Sequence, residues 1–169
     1  DAAAVAAQLT ESVDDPALVG YFLMNEPTWG FSAECPAAGM LYTYESGPAR
    51  DRFARFLREK YSDDHALAES WGPEVSFSAI TSGLFDRALT DRGVGGCEEF
   101  SAQMVSRFFT TLTQECRKID PHHLNLGIRY QTVPPHWALD GMRTFDVFSM
   151  NCYRDRVPSE VNAEIDRKS

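Results

Sequence analysis

The segment Val19-Gly20-Tyr21-Phe22-Leu23-Met24 ends abruptly in Asn25-Glu26-Pro27, with Trp29 close behind. The run is short, apolar and unalternating. That is the pattern of a strand covered on both faces in a parallel sheet. Such a strand delivers Asn25 and Glu26 to its C-terminal end, where parallel α/β folds carry their chemistry. A carboxyl group beside an amide, with an indole nearby, suits a site that handles sugars.

The rest of the chain supplies crossovers for such a sheet. Ala2 to Ser12 reads as an alanine-rich helix, entered part-way because no initiator Met or signal peptide precedes it. Residues 27–48 read as a long loop carrying Trp29, Phe31, Tyr42 and Tyr44, and loops of that length are usually functional. Ala49 to Tyr61 is amphipathic, with Phe53, Phe56, Leu57 and Tyr61 on one face and charged residues on the other. A short helix over Asp64–Trp71 stops at Gly72-Pro73, residues 75–96 read as irregular, and a long helix is expected from Glu98 to Ile119, before Asp120-Pro121. Leu124–Tyr130 and Asp146–Tyr153 read as two more strands, separated by a short helix over Pro134–Met142.

Strands alternating with helices imply a parallel sheet. No glycine-rich phosphate loop follows any strand, which disfavours a nucleotide site. Each strand ends instead in polar or aromatic groups: Asn25-Glu26, Arg129-Tyr130 and Asn151 to Tyr153. The element order fits either a doubly wound sheet or part of a (β/α)8 TIM barrel, and the strand ends suit the barrel, of which 169 residues would be one incomplete α/β domain; a whole barrel takes about 250.

Composition narrows the partners. With 16 Lys and Arg against 25 Asp and Glu, the net charge of −9 argues against nucleic acid. No apolar stretch approaches the roughly 20 residues of a membrane helix. Cys35, Cys97, Cys116 and Cys152 have no metal-ligand spacing. Cys116 and Cys152 read as small buried residues, while Cys35 and Cys97 could pair in a secreted protein. Glu98 and Glu99 read as helix-start carboxylates, and His122 and His123 as structural residues at the N-terminal side of their strand. Asp146 begins its strand, at the wrong end for catalysis.

Several segments carry a family resemblance. GYFLMNEPTW resembles the fourth-strand motif of clan A retaining glycoside hydrolases, in which the Glu after Asn is the general acid/base. FARFLREKYSDDHALAESWG resembles the segment that follows in beta-galactosidase-type members (family 42) and agarase-like enzymes. DPHHLNLGIRY and FDVFSMNCY resemble the fifth and sixth strands. The resemblance implies a section of the barrel around strands four to six, with the nucleophilic Glu beyond its C-terminus, and the remaining barrel segments of the parent chain as partners. The 169 residues alone would then be inactive.

Retaining glycosidases place two carboxyl groups about 5–5.5 Å apart. The resemblance assigns Glu26 the acid/base role, which calls for a raised pKa. Asn25 would meet the sugar 2-OH, and Tyr153 a sugar hydroxyl or the nucleophile. Arg129 could orient a carboxylate. Trp29, His136 and Trp137 are candidates for contact with an oligo- or polysaccharide substrate. No cofactor or metal is called for. Competing readings are an inverting hydrolase and a non-catalytic carbohydrate-binding barrel, in which Glu26 is a solvated or paired carboxylate.

Overall fold

A computed structural model describes residues 1–30, 34–151, 153, 155, 156, 159 and 163. Phe31 and Cys152 lie outside the described residues. The chain divides into two compact units, one of residues 1–31 with 102–169 and one of residues 32–101.

The first unit holds the sheet. Helix α1 (Ala2–Ala6) is capped by Asp1, whose carboxylate accepts from the Ala4 amide at 2.9 Å, and tightens into a 3-10 turn over Ala7–Glu11 rather than continuing as one helix. Strands β1 (Gly20–Tyr21) and β2 (Met24–Asn25) pair in parallel with β3 (Leu124–Asn125) and β4 (Ile128–Tyr130), respectively. The register is the same in both halves, Tyr21 facing Asn125 and Met24 facing Ile128. Between them the ladder continues through Leu126 N–H to Tyr21 O at 2.9 Å and Leu23 N–H to Gly127 O at 2.7 Å. The first two predicted strands are therefore each present as two short pieces of one run. The break falls at Gly127, whose φ of +69° is left-handed, and a β-carbon there would sit 2.3 Å from the Phe145 ring. Strand β5 (Ser149–Met150) pairs in parallel with β4, giving the order β2-β4-β5.

Helix α6 (Asp91–Ile119) is shared between the units, and its second half packs the first. Phe109 and Cys116 on that half are buried, as are Ile128 and Tyr130 of β4. Ala6, Tyr21 and Cys116 form a small cluster flanked by Leu9, Leu23 and Ile119. Helix α7 (His136–Met142) turns the face bearing Trp137 and Gly141 inward; a methyl on Gly141 would lie 2.9 Å from the Phe109 ring.

The second unit is helical: α2 (Pro36–Thr43), α3 (Pro48–Arg58), α4 (Asp64–Trp71), α5 (Phe77–Thr81) and the first turns of α6. Phe53, Phe56 and Phe100 build its aromatic core, with Phe53 stacked on Phe100 at 4.6 Å. The expected loop over 27–48 contains α2, begun by Pro36 at its first turn. The expected irregular stretch contains α5, and α6 starts at Asp91 despite Gly93, Gly95 and Gly96.

Arg50 is fully buried, although its helix read as amphipathic with the charges outward. Among the described residues it makes no bond to a carboxylate. Its Nε donates to Ile80 O at 2.7 Å, Nη2 to Ala79 O at 2.6 Å, and Nη1 to Tyr44 O at 2.7 Å, to Glu45 O at 3.1 Å and to Gly83 O. The planar fork satisfies carbonyls from α5 and from two loops at once, which a single ammonium could not do.

Candidate active site

Glu26 sits where β2 stops. Its amide still donates to Arg129 O at 2.8 Å, as the last rung of the ladder, but its φ of +43° lies in the left-handed region. It is the one non-glycine residue with positive φ among the described residues. A glutamate held there immediately before a proline, which itself disfavours helical backbone at the preceding residue, stores local strain. The kink re-aims the carboxylate away from the strand direction, so that it meets the end of β5.

There, two donors converge on one oxygen. The Tyr153 hydroxyl donates to Glu26 Oε1 at 2.5 Å, and Asn151 Nδ2 donates to the same atom at 2.7 Å. Asn151 Nδ2 also donates to Asn25 Oδ1 at 3.0 Å and lies 3.2 Å from the Tyr153 hydroxyl. The amide has only two hydrogens, so the two shorter contacts are the full bonds. Asn25, Glu26, Asn151 and Tyr153 thus form one network across the C-terminal ends of β2 and β5. Asn151 is the member of this network that the sequence reading names only as a strand end, with no role attached. The signal was available: Asn151 and Tyr153 are two residues apart in an extended run, so their side chains share one side.

The electrostatics correct one expectation. A raised pKa was anticipated for Glu26, but the Tyr153 hydrogen bond, then that from Asn151, then the Arg129 charge hold its carboxyl below the ordinary glutamate value. Hydrogen bonds to the ionised form favour it. The bond has its reciprocal effect on the Tyr153 hydroxyl, whose pKa is raised chiefly by donating to Glu26.

Arg129 emerges between β2 and β5. Its guanidinium lies over the Phe22 ring at 4.5 Å, and its buried Nε has no partner among the described residues. A buried donor without a partner is rare enough to need a reason. Trp29, in the 3-10 turn Thr28–Gly30, donates its indole N–H to the Tyr130 hydroxyl at 3.0 Å and packs against Phe108 and Phe109 at 6.0 and 6.1 Å. It therefore braces the turn after Glu26. Burial pushes the Tyr130 hydroxyl up to about 12. His136 is exposed at the start of α7, whereas Trp137 is only 9% exposed and packs inward.

Other singled-out residues fall away from this site. Asp146 precedes β5 instead of beginning it; it accepts from the Asn125 amide at 2.6 Å and pairs with Arg117, a brace at the N-terminal ends of the strands. His123 pairs with buried Asp120 at 2.8 Å and reaches Asp15 O at 3.1 Å. Glu98 and Glu99 lie within α6 rather than at its start, and Glu99 pairs with Lys60. Cys35, Cys97 and Cys116 are buried free thiols. The Cys97 side chain hydrogen-bonds to Cys35, which brings the Cys35 thiol down to about 6 and pushes that of Cys97 up.

Comparison with known proteins adds a context for this geometry. No family model matches the chain. Beta-agarase B of Vibrio sp. (strain JT0107) is 29% identical across 98% of this chain and 19% of its own length. Beta-agarase A of the same strain is 25% identical across 93% of this chain and 17% of its own. Among solved structures, an exo-beta-agarase superposes with a TM-score of 0.81 at 23% identity, over 99% of this chain and 24% of that one. A second agarase gives 0.81 at 26% identity, over 98% and 25%. The chain therefore spans about a fifth of the curated relatives and a quarter of the solved ones. The agarase-like side of the family resemblance is supported, and the family 42 side is not. The chain is a mixed α/β section, with parallel strands, similar to part of the beta-agarases.

Proposed function

We propose that the chain is the acid/base-bearing section of a retaining β-glycosidase that acts on a β-linked galactan, with Glu26 as the general acid/base. The observation that carries this reading is the placement of the Glu26 carboxylate. It stands at the C-terminal ends of parallel strands on strained backbone, with both of its hydrogen bonds on Oε1. That arrangement leaves Oε2 as the atom to carry a proton toward a leaving oxygen. Asn25 keeps its Nδ2 for a sugar hydroxyl, because only its Oδ1 is engaged by Asn151. The Arg129 guanidinium, whose buried Nε has no partner among the described residues, is suited to hold a carboxylate or a sugar oxygen at the rim through its outer nitrogens. His136 and Trp29 would serve the substrate side, the first by exposure and the second by fixing the turn.

In this reading the strands belong to a (β/α)8 barrel completed by other segments of the parent chain. Those segments bring the nucleophile. The lowered Glu26 pKa fits a site without its second carboxylate. A like charge about 5–5.5 Å away would push the Glu26 proton affinity up, since two such groups do not both ionise readily. The substrate class follows from the agarases that the chain resembles, and the net charge of −9 favours a neutral galactan over an anionic one.

The low proton affinity of Glu26 also favours a second reading, in which Glu26 binds sugar as a fixed carboxylate and no bond is cleaved. Hydrolysis of agarose by the full-length protein separates the two, and Glu26→Gln then tests the role of the carboxylate. The catalytic reading expects turnover of agarose to fall by about 10²–10⁴. Near-normal hydrolysis by that variant would remove Glu26 from the mechanism.

A further inference from the structure

The helical second unit contains an open cavity of about 420 Å³ that the site around Glu26 does not use. This is within the usual range of small-ligand sites, about 300–1,000 Å³. Its walls come from α3, α4 and the start of α6, and include Lys60, Tyr61, Glu69, Arg92, Gly95 and Glu99. We infer that this cavity is a secondary binding site for a neutral saccharide, built on hydroxyl recognition by paired charges.

The lining is balanced in charge: two cations, Lys60 and Arg92, face two carboxylates, Glu69 and Glu99. A charged ligand would leave one sign without compensation, whereas a hydroxyl both donates to a carboxylate and accepts from a cation. Hydrogen bonds to ionised groups are roughly twice as strong as neutral ones. Lys60 is already aimed by its pairing with Glu99 and by the Phe56 ring, 4.8 Å from its ammonium. No ion pair among the described residues engages Glu69 or Arg92.

The wall is also rigid. Trp71 Nε1 donates to the Tyr61 hydroxyl at 3.2 Å, and that hydroxyl lies 3.1 Å from Ser70 Oγ. Thr90 Oγ1 donates to Ser70 O at 3.0 Å and accepts from the Gly93 amide at 3.1 Å, fixing the end of α4 to the start of α6. One residue of this helix has no packing reason for its identity. Gly96 is required because a β-carbon would lie 2.3 Å from Trp71, whereas a β-carbon on Gly95 would meet no other part of the described structure within 4 Å beyond its own helix. Glycine is the poorest helix former after proline. At Gly95 it leaves the cavity floor clear.

The saccharide class deepens the proposed glycosidase function and rests on that reading, as an accessory hold on the same galactan. The test is photo-crosslinking of the full-length protein with a diazirine derivative of an agarose-derived tetrasaccharide, mapped by mass spectrometry. The expected result is labelling of peptides spanning 57–70 and 92–99. Excess unlabelled oligosaccharide should compete it away, and Gly95→Leu should reduce it at least about ten-fold, with the thermal midpoint of that variant no lower than wild type. Labelling absent from those peptides, not competed, or unchanged in Gly95→Leu would overturn the site. Loss of the glycosidase reading shows separately, as no hydrolysis of agarose by the wild-type full-length protein with this labelling intact.

Discussion

The Tyr153 hydroxyl and the Glu26 carboxylate meet at 2.5 Å, joining the ends of two strands that are not neighbours in the sheet. Strand β4 lies between them, so the bond spans the rim of the sheet. Tyr153 is 70% exposed, and its position depends on this contact and on Asn151.

Removing that donor has a directional consequence. Tyr153→Phe keeps the ring and deletes the largest influence holding the Glu26 pKa down. The Glu26 titration midpoint, followed by the ¹³C shift of its carboxyl carbon, is expected to move upward. The sign for stability follows. With its folded pKa depressed, Glu26 contributes stability above its unfolded value, near 4.3, and loses it as pH falls through the folded pKa. Tyr153→Phe should flatten that acid-side loss; an unmoved midpoint would show that the bond is absent in solution.

His123 has the opposite sign. Its pKa is raised, first by the bond to Asp120 and further by Asp15 O. Burial alone would raise the Asp120 carboxyl, but the His123 and His122 amides and the His123 ring outweigh it and hold it low. The pair's contribution is present in full below the unfolded histidine pKa, about 6.5, and is lost as pH rises through the higher folded value. Thermal midpoints measured from pH 5.5 to 9 should fall more steeply on the alkaline side for wild type than for His123→Ala. Parallel profiles would show that the ion pair adds nothing.

Arg50 holds carbonyls from Tyr44, Glu45, Ala79, Ile80 and Gly83 without exposure to solvent. Arg50→Met leaves several buried acceptors unmatched, at about 1–3 kcal/mol each before relaxation. Urea unfolding is expected to show a loss of at least about 3 kcal/mol, large for a single substitution. Arg50→Lys should recover only part, because three donors on a flexible stem do not reproduce the fork. Full stability in Arg50→Lys would contradict the geometry.

Neighbouring glycines in α6 should behave oppositely. Gly95→Ala meets open space and should stabilise by up to about 1 kcal/mol from helix propensity. Gly96→Ala drives a methyl into Trp71 and should destabilise, by about 1–3 kcal/mol for overpacking. Chemical denaturation of the two variants side by side checks the pair.

The legible parts of this chain were those where one local signal decides. The apolar run ending in Asn25-Glu26 placed that pair at a strand end, and Arg129 and Asn151 followed from two similar runs. Helix α2 was hidden because Pro36, Gly39 and two tyrosines resemble loop composition, yet Pro36 occupies the first turn, where its missing N–H is harmless. The start of α6 was hidden by Gly93, Gly95 and Gly96, whose weak helix propensity is overridden at two of them by packing on Trp71. Arg50 was invisible because an arginine on an amphipathic helix reads as solvated until its carbonyl partners, far along the chain, are in place. The donors that hold the Glu26 pKa down are also distant in the chain: Asn151 and Tyr153 follow β5, over a hundred residues later.

The most direct test of the acid/base assignment uses Glu26→Ala in the full-length protein with an aryl β-galactoside that bears a good leaving group, with and without sodium azide. If Glu26 is the acid/base of a retaining enzyme, the first step survives because the leaving group needs no proton. The second step stalls, and azide, which needs no general base, restores turnover and yields the β-glycosyl azide. Turnover that azide does not change, or an α-configured azide product, would contradict that role.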